Sequence, residues 1–560
     1  MFSRILVANR GEIAVRAIRA MQEMGIHTVA VYSDVDRKSL HVRAADEIVP
    51  LGRPEPAESY LNMDKIIAAA KSTNAQAIYP GYGFLSENAE FARRCWKENL
   101  VFIGPKPDVI AAMGDKIAAK ETASKANVPV LPGYHGSIDN MDILLEKAEE
   151  IGYPLMIKAA AGGGGKGMRI VVNKKDLLRS FESAQREAEA AFGEGSVFLE
   201  KYINNARHVE FQILADNSGH TIHLFERECS IQRRHQKIIE ETPSSALNGK
   251  LREKMGEAAI RAAKSANYSN AGSVEFLLAP AGHFYFLEVN ARLQVEHAIT
   301  EVITGIDLLK WQIRIASGEE LLLTQDQIIP RGHAIECRIY AEDPEKEFMP
   351  SPGKISYVDF PSGVNIRHDY GIEAGQEIST YYDPMIAKLI VHSETREESL
   401  KKMDWALSNY VALGVRTNVS FLRKVLRHPD FVSGNYDTDF VSKYFRNWRP
   451  NDQKIPPEAI IAASLYELLE QSSQNNGTPL NVHPRVTDPH SPWKSSGRWG
   501  RESVSKGLDS IMGIGKFAVS GIKKSGKYIG GISEKIKHKV SSDETDTDVD
   551  KEQEEESEAK

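Results

Sequence analysis

A chain of 560 residues is too long for one hydrophobic core and calls for three or four domains. With 41% apolar and 26% charged residues it has the make-up of a soluble globular protein, and no stretch nears the roughly 20 apolar residues a membrane-crossing helix needs. The net charge of −7 is local: residues 541–560 carry −8, leaving about +1 for the other 540, which excludes the broad basic surface that nucleic acid requires.

The start, MFSRILVANRGEIAVRAIRA, runs from an apolar strand pattern into a charged helix pattern and is unlike a signal peptide. Arg4–Ala8 reads as a buried strand, Ile13–Met24 as a helix, and Thr28–Tyr32 and Ala77–Tyr79 as further strands. Such alternation predicts a parallel sheet with crossover helices. The first turn, Asn9-Arg10-Gly11-Glu12, lacks GxGxxG, so a dinucleotide is not expected there. Cys95, Cys229 and Cys337 form no CxxC pair, which argues against disulfides or zinc and for a reducing, cytoplasmic setting.

From about Lys116 the texture changes to glycine-rich turns and antiparallel hairpin signals. Gly162-Gly163-Gly164-Gly165-Lys166-Gly167 lies between the strand patterns Leu155–Lys158 and Met168–Val172. Glycines there let backbone amides turn toward an anion without Cβ clashes, as a lid closing over phosphates does. A plain hairpin tip would carry the same residues, and no Ser or Thr follows Lys166 as a P-loop requires.

Ser273–Leu278 and Phe284–Asn290 read as a hairpin about Pro280-Ala281-Gly282. That pairing sets Glu275 opposite Glu288, with Asn290 on the face of Glu288. Like charges facing each other destabilise a sheet unless they splay into solvent or a divalent cation sits between them. Beyond the hairpin, a continued strand would put Arg292, Gln294 and Glu296 on one face. A guanidinium there could grip a planar oxyanion and a carboxylate could take its proton; a surface salt bridge would use the same residues.

Five segments, YPGYGFLSENAEFA (79–92), IKAAAGGGGKGM (157–168), ERECSIQRRHQKIIEE (226–241), FLEVNARLQVEH (286–297) and ECRIYAED (336–343), resemble those of biotin carboxylases, members of the ATP-grasp superfamily, over residues 1–446. The resemblance implies an α/β and α+β fold. A Rossmann-like N-terminal domain would span 1–115, and an ATP-grasp domain 116–325 with a mobile lid at about 130–205. A mixed C-terminal domain would cover 326–447; beyond the resemblance, composition and charge read as a linker and basic segment (448–540) and an acidic disordered tail (541–560).

It further implies ATP-dependent carboxylation of biotin with bicarbonate through carboxyphosphate. Lys116 and Lys158 would hold ATP phosphates, Glu200 and Lys201 would meet adenine, and His208, Gln232 and His235 would line the ribose and phosphate region. Glu275, Glu288 and Asn290 match Mg²⁺ (or Mn²⁺) ligands. Lys237, Arg292, Gln294 and the Val295 amide would grip bicarbonate, Glu296 would be the general base, Arg338 would stabilise the enolate of biotin, and Tyr82 and Gly83 would contact its ring. Ala291 and Ala298 depart from common family residues without removing a reactive group. Arg19 and Glu23 lie where bacterial relatives dimerise, so a homodimer is expected.

No Met-Lys-Met occurs, so biotin is expected on a separate biotin carboxyl carrier protein, with a separate carboxyltransferase. Within 504–540, Val504, Leu508, Ile511, Ile522, Ile529, Ile532 and Ile536 recur among eight lysines, a pattern that could dock a partner or touch an anionic membrane. Seven glycines in that window speak for a disordered tail instead. Another ATP-grasp ligase would share the nucleotide residues but not Arg338 and its segment. A non-catalytic scaffold would have no need of the full set of reactive residues.

Overall fold

The computed structural model describes residues 1–134, 138, 141–159, 168–193, 195–446 and 448–449, with single positions at 459, 461, 464 and 465. The expectations for Gly163, Gly164, Gly165, Lys166 and Gly167, for the basic segment 504–540 and for the acidic end fall outside these residues.

The first unit is a five-stranded parallel sheet, β1 (Arg4–Val7), β2 (His27–Ser33), β3 (Glu47–Gly52), β4 (Ala77–Tyr79) and β5 (Val101–Phe102), in the order β3-β2-β1-β4-β5. Ile5, Leu6 and Val7 are wholly buried, as a parallel strand covered on both faces demands. The order reverses between β1 and β4, so the turns that follow them open side by side at the carboxyl edge. The Asn9 side-chain amide ties those turns together, donating to the Pro80 and Tyr82 carbonyls at 2.7 Å each. Helix α1 (Gly11–Glu23) starts within the first of these turns.

A small antiparallel sheet follows, β6 (Gly133–Tyr134), β7 (Leu155–Ala159), β8 (Arg169–Val171) and β9 (Val197–Lys201), ordered β6-β9-β7-β8. Leu155, Ile157 and Leu199 pack its inner face against the helix Leu177–Phe192.

The largest sheet has eight strands and is antiparallel throughout. It comprises β10 (Arg207–Ala215), β11 (Thr221–Arg233), β12 (Gln236–Thr242), β13 (Asn270–Leu278), β14 (Phe284–Asn290) and β15 (His333–Tyr340), with the strands Met385–Ser393 and Ile366–Tyr370 beyond β15. One sheet thus runs through residues on both sides of position 325.

The β13–β14 hairpin has the expected facing pair, Glu275 against Glu288, with Ser273 against Asn290. Gly282 takes φ +80° in the turn, a conformation that glycine adopts without strain. A one-residue shift between Glu275 and Phe276 leaves Leu287 as the extra residue of a bulge; without it Glu275 would face Leu287. The strand expected through Glu296 is not formed. β14 is the edge of its sheet and ends at Asn290, and the chain turns through 291–296 to enter the helix His297–Thr304, of which Glu296 is the N-cap. Arg292, Gln294 and Glu296 are therefore brought together by a loop, not by strand alternation.

Candidate active site

The three sheets surround a cleft of about 1550 Å³. Its walls include Tyr82, Gly83, Lys116, Lys158, Lys201, His208, Gln232, His235, Lys237, Glu275, Glu288, Asn290, Arg292, Gln294, Val295 and Arg338, every described residue given a catalytic, nucleotide, biotin or metal role from sequence except Glu200 and Glu296. Those two lie directly behind it, each wholly buried and each bonded to residues of the wall.

Lys237 on β12 is the hub. Its ammonium donates to Glu210 Oε2 at 2.5 Å, Glu296 Oε1 at 2.7 Å and Glu275 Oε1 at 2.9 Å. Burial alone would neutralise these groups. The three carboxylates instead hold Lys237 well above the usual ammonium range. Glu296 also accepts from Arg338 Nη2 at 2.9 Å. Against the cost of burial, Lys237, Arg338 and Arg227 keep its carboxyl well below the ordinary range, so it stays anionic although wholly buried. Arg338 is anchored on its other side by Glu240 at 2.6 Å, whose carboxyl burial pushes up to about 7.

Glu275 is fully engaged. Oε1 accepts from Lys237, from Asn290 Nδ2 at 2.8 Å and from Gln294 Nε2 at 3.2 Å, while Oε2 meets His208 Nε2 at 2.8 Å. His208 is steadied in turn by Gln232 at 2.8 Å. Lys237 and His208 draw the Glu275 carboxyl well below its usual range in spite of burial. Glu288 is the opposite case. Among the described residues no side chain bonds to it, and burial together with Glu275 across the hairpin raises its carboxyl. A facing pair of hard carboxylates at a cleft wall, with a cation bonded to only one of them among the described residues, suits a divalent cation such as Mg²⁺. The Asn290 side-chain oxygen Oδ1 accepts from Arg292 Nη2 at 3.0 Å, so that guanidinium already tethers the third oxygen donor of the set.

Arg292 is held flat by several partners: Nε to Glu87 Oε2 at 2.7 Å, Nη1 to Gln294 Oε1 at 2.9 Å and Nη2 to Asn290. Gln294 continues to Ser273 Oγ at 3.0 Å. At the other end, Lys158 on β7 lies 2.8 Å from Glu200 Oε2, and Lys120 bonds to Glu200 Oε1. Burial and the neighbouring Lys116 push Lys158 down to about 8. Lys201 donates to the carbonyls of Gly152 and Tyr153 at 3.2 and 3.0 Å. The Glu200 carboxylate and the Lys201 ammonium thus both have protein partners. His235 lines the cleft with φ +66°, and burial and Lys158 depress its imidazole.

Sequence reasoning passed over Glu87, Lys120, Glu210 and Glu240. Lys120 sits one helical turn after Lys116, a spacing that puts both on one face. Glu87 and Glu240 lie inside quoted segments. Glu210 pairs in register with Glu275 across β10 and β13, a relation between strands about sixty residues apart that local pattern does not carry.

Family models match three consecutive stretches: the biotin carboxylase N-terminal domain over residues 1–110, the carbamoyl-phosphate synthase L chain ATP binding domain over 115–324, and the biotin carboxylase C-terminal domain over 336–443. The chain is 54% identical over 442 residues to a biotin carboxylase of Nostoc, covering 79% of this chain and 99% of that one. It is 52% identical over 458 residues to one of the pyruvate carboxylase subunits of Methanothermobacter thermautotrophicus, 82% of this chain and 93% of the relative. A solved structure of the Hydrogenobacter thermophilus 2-oxoglutarate carboxylase biotin carboxylase domain dimer, in complex with MgADP, ADP and bicarbonate, is similar with a TM-score of 0.78 at 45% identity, over 81% of this chain and all of that one.

Proposed function

The chain belongs to the biotin carboxylase family, and from that premise we propose that it consumes ATP and bicarbonate to carboxylate biotin carried on a separate protein. The observation that carries this reading is the Glu296 carboxylate, wholly buried yet held anionic between Lys237 and Arg338 beside the Glu275–Glu288 pair.

Lys237, Arg292, Gln294 and the Val295 amide bind bicarbonate, and Glu296 takes its proton. The freed oxygen attacks the γ-phosphorus of ATP and ADP leaves, giving carboxyphosphate. That species breaks into CO₂ and phosphate, the phosphate removes the ureido proton of biotin, and the ureido nitrogen bonds to the CO₂ carbon. Arg338 stabilises the negative oxygen that develops on biotin, and its pairing with both Glu240 and Glu296 fixes the guanidinium beforehand. Tyr82 and Gly83 support the biotin ring. Lys116, Lys158, Glu200, Lys201, His208, Gln232 and His235 hold the nucleotide, with Gly163, Gly164, Gly165, Lys166 and Gly167 closing over its phosphates. Magnesium, or manganese, held by Glu275, Glu288 and Asn290 supplies neutralisation of phosphate charge.

The partners of this reading are a biotin carboxyl carrier protein, a second copy of the chain and a separate carboxyltransferase subunit, in a cytoplasmic setting. Supporting them are a relative that is named as part of a multi-subunit pyruvate carboxylase and a similar structure described as a domain dimer. Among the described residues no helix is long and apolar enough to cross a membrane.

The test is incubation with Mg-ATP, labelled bicarbonate and free biotin. Carboxybiotin, ADP and phosphate are expected in equal amounts. ATP cleavage that ignores bicarbonate and leaves biotin unlabelled would overturn the reading.

A further inference from the structure

A line of buried polar contacts joins the Tyr82 turn to the Val295–Glu296 loop. The Tyr82 hydroxyl donates to Glu12 Oε1. The same oxygen lies 3.4 Å from Lys388 Nζ, and Lys388 donates to the Val295 carbonyl at 2.8 Å. Lys388 is wholly buried, in the middle of the strand Met385–Ser393, and Glu12 is buried in the first turn of α1. Three parts of the fold that are far apart in sequence meet at one ammonium.

The geometry makes the line stiff. Lys388 has three protons, and around it stand Glu12, the Val295 carbonyl and Asp369 Oδ2 at 3.8 Å. Asp369 cannot follow freely, because Arg367 clamps it at 3.0 and 2.8 Å. A buried ammonium that parts from Glu12 loses its nearest carboxylate oxygen, so a shift of Glu12 is passed to Lys388. The carbonyl that Lys388 holds belongs to the peptide joining Val295 to Glu296. Turning that peptide turns both the Val295 backbone and Glu296, the N-cap residue of the next helix, whose carboxylate reaches Lys237 and Arg338. Only one oxygen of Glu12 takes part; Oε2 is buried without a hydrogen-bond partner among the described residues.

We propose that Glu12 and Lys388 are positioning residues that couple the two substrate sites, so that biotin against Tyr82 and bicarbonate against Val295 and Glu296 strengthen each other's binding. The inference rests on the assignment of those sites under Proposed function. Coupling of this sort is reciprocal: each ligand changes the affinity of the other by the same factor, typically about 5- to 150-fold.

The experiment is equilibrium titration of free biotin into the full chain saturated with MgADP, with and without bicarbonate. In the native chain bicarbonate tightens biotin binding at least about fivefold, and the reverse titration returns the same factor. Glu12→Ala, which removes the shared oxygen, brings the factor to within about twofold of unity while MgADP affinity is unchanged. Glu12→Gln, which keeps an oxygen at that point, restores it. Tyr82→Phe cuts the line at its first link while leaving the Glu12–Lys388 pair in place, and it also lowers the factor, so the result stands even if Glu12→Ala does not fold. A native factor of one, or an undiminished factor in both Glu12→Ala and Tyr82→Phe, overturns the proposal. Native chain that binds neither biotin nor bicarbonate overturns the site assignment itself, and this inference with it.

Discussion

Replacing Glu296 by Gln isolates the chemistry from the architecture around it. The amide has nearly the carboxylate's volume but cannot accept the bicarbonate proton. Neither cation that it served is orphaned: Lys237 keeps Glu210 at 2.5 Å and Glu275 at 2.9 Å, and Arg338 keeps Glu240 at 2.6 Å. The stability loss is then that of two weakened charge-assisted hydrogen bonds, about 1–3 kcal/mol in all. The rate loss is that of a missing general base, about 10²- to 10⁴-fold, or about 3–5 kcal/mol of barrier. Bicarbonate-dependent ADP release, followed by a coupled spectrophotometric assay, reads the rate, and nucleotide titration reads binding separately. The expected outcome is a rate in the stated range with MgATP affinity unchanged. Because Lys237 and Arg338 keep the native carboxyl well below its ordinary range, Glu296 contributes no loss of activity as pH falls from 8 to 6. A Glu296→Gln enzyme that keeps a third of the native rate refutes the assignment, and so does one whose nucleotide affinity falls in step with its rate.

Three further outcomes follow from the same geometry. Glu288→Gln relieves a like-charge pair, so in chelator it should raise the melting point slightly, by the equivalent of about 0.2–1 kcal/mol, while abolishing the extra stabilisation that Mg²⁺ lends to nucleotide binding; calorimetry with and without Mg²⁺ checks both signs. Lys158 is pushed down to about 8, so its ammonium is lost as pH rises through that value, and ATP affinity measured at pH 9 should be weaker than at pH 7; in Lys158→Gln affinity should drop about 10- to 150-fold and this alkaline slope should disappear. Glu241 is drawn down to about 2 by His333 and Arg396 despite burial, so its stabilising contribution is present above the ordinary carboxylate range and is lost as pH falls from about 4.5 toward 2. Denaturant unfolding should show Glu241→Gln less stable by about 3 kcal/mol at pH 7, with the gap closing toward pH 2; a gap independent of pH contradicts it.

The residues by themselves determined what is local. The parallel sheet of the first unit follows from apolar strands alternating with helices, and the β13–β14 hairpin from the turn at Pro280-Ala281-Gly282; the register at that turn would set Glu275 against Leu287, and the bulge at Leu287 brings Glu288 opposite it instead. Most of the wall residues singled out from sequence lie in the quoted segments, whose turns and strand ends open into the cleft. What the tertiary structure decided is how charges far apart in sequence neutralise one another. Arg292, Gln294 and Glu296 gather on a loop, since the edge strand ends at Asn290 and a helix begins at His297, which alternation along the chain does not foretell. Glu210, Glu240 and Lys388 reach the site from other strands of the large sheet, and Glu12 from the first helix. Whether Glu296 is anionic and Glu288 poorly matched depends on which ammonium or guanidinium packs against each, and electrostatic energy varies with distance in space, not with separation along the chain.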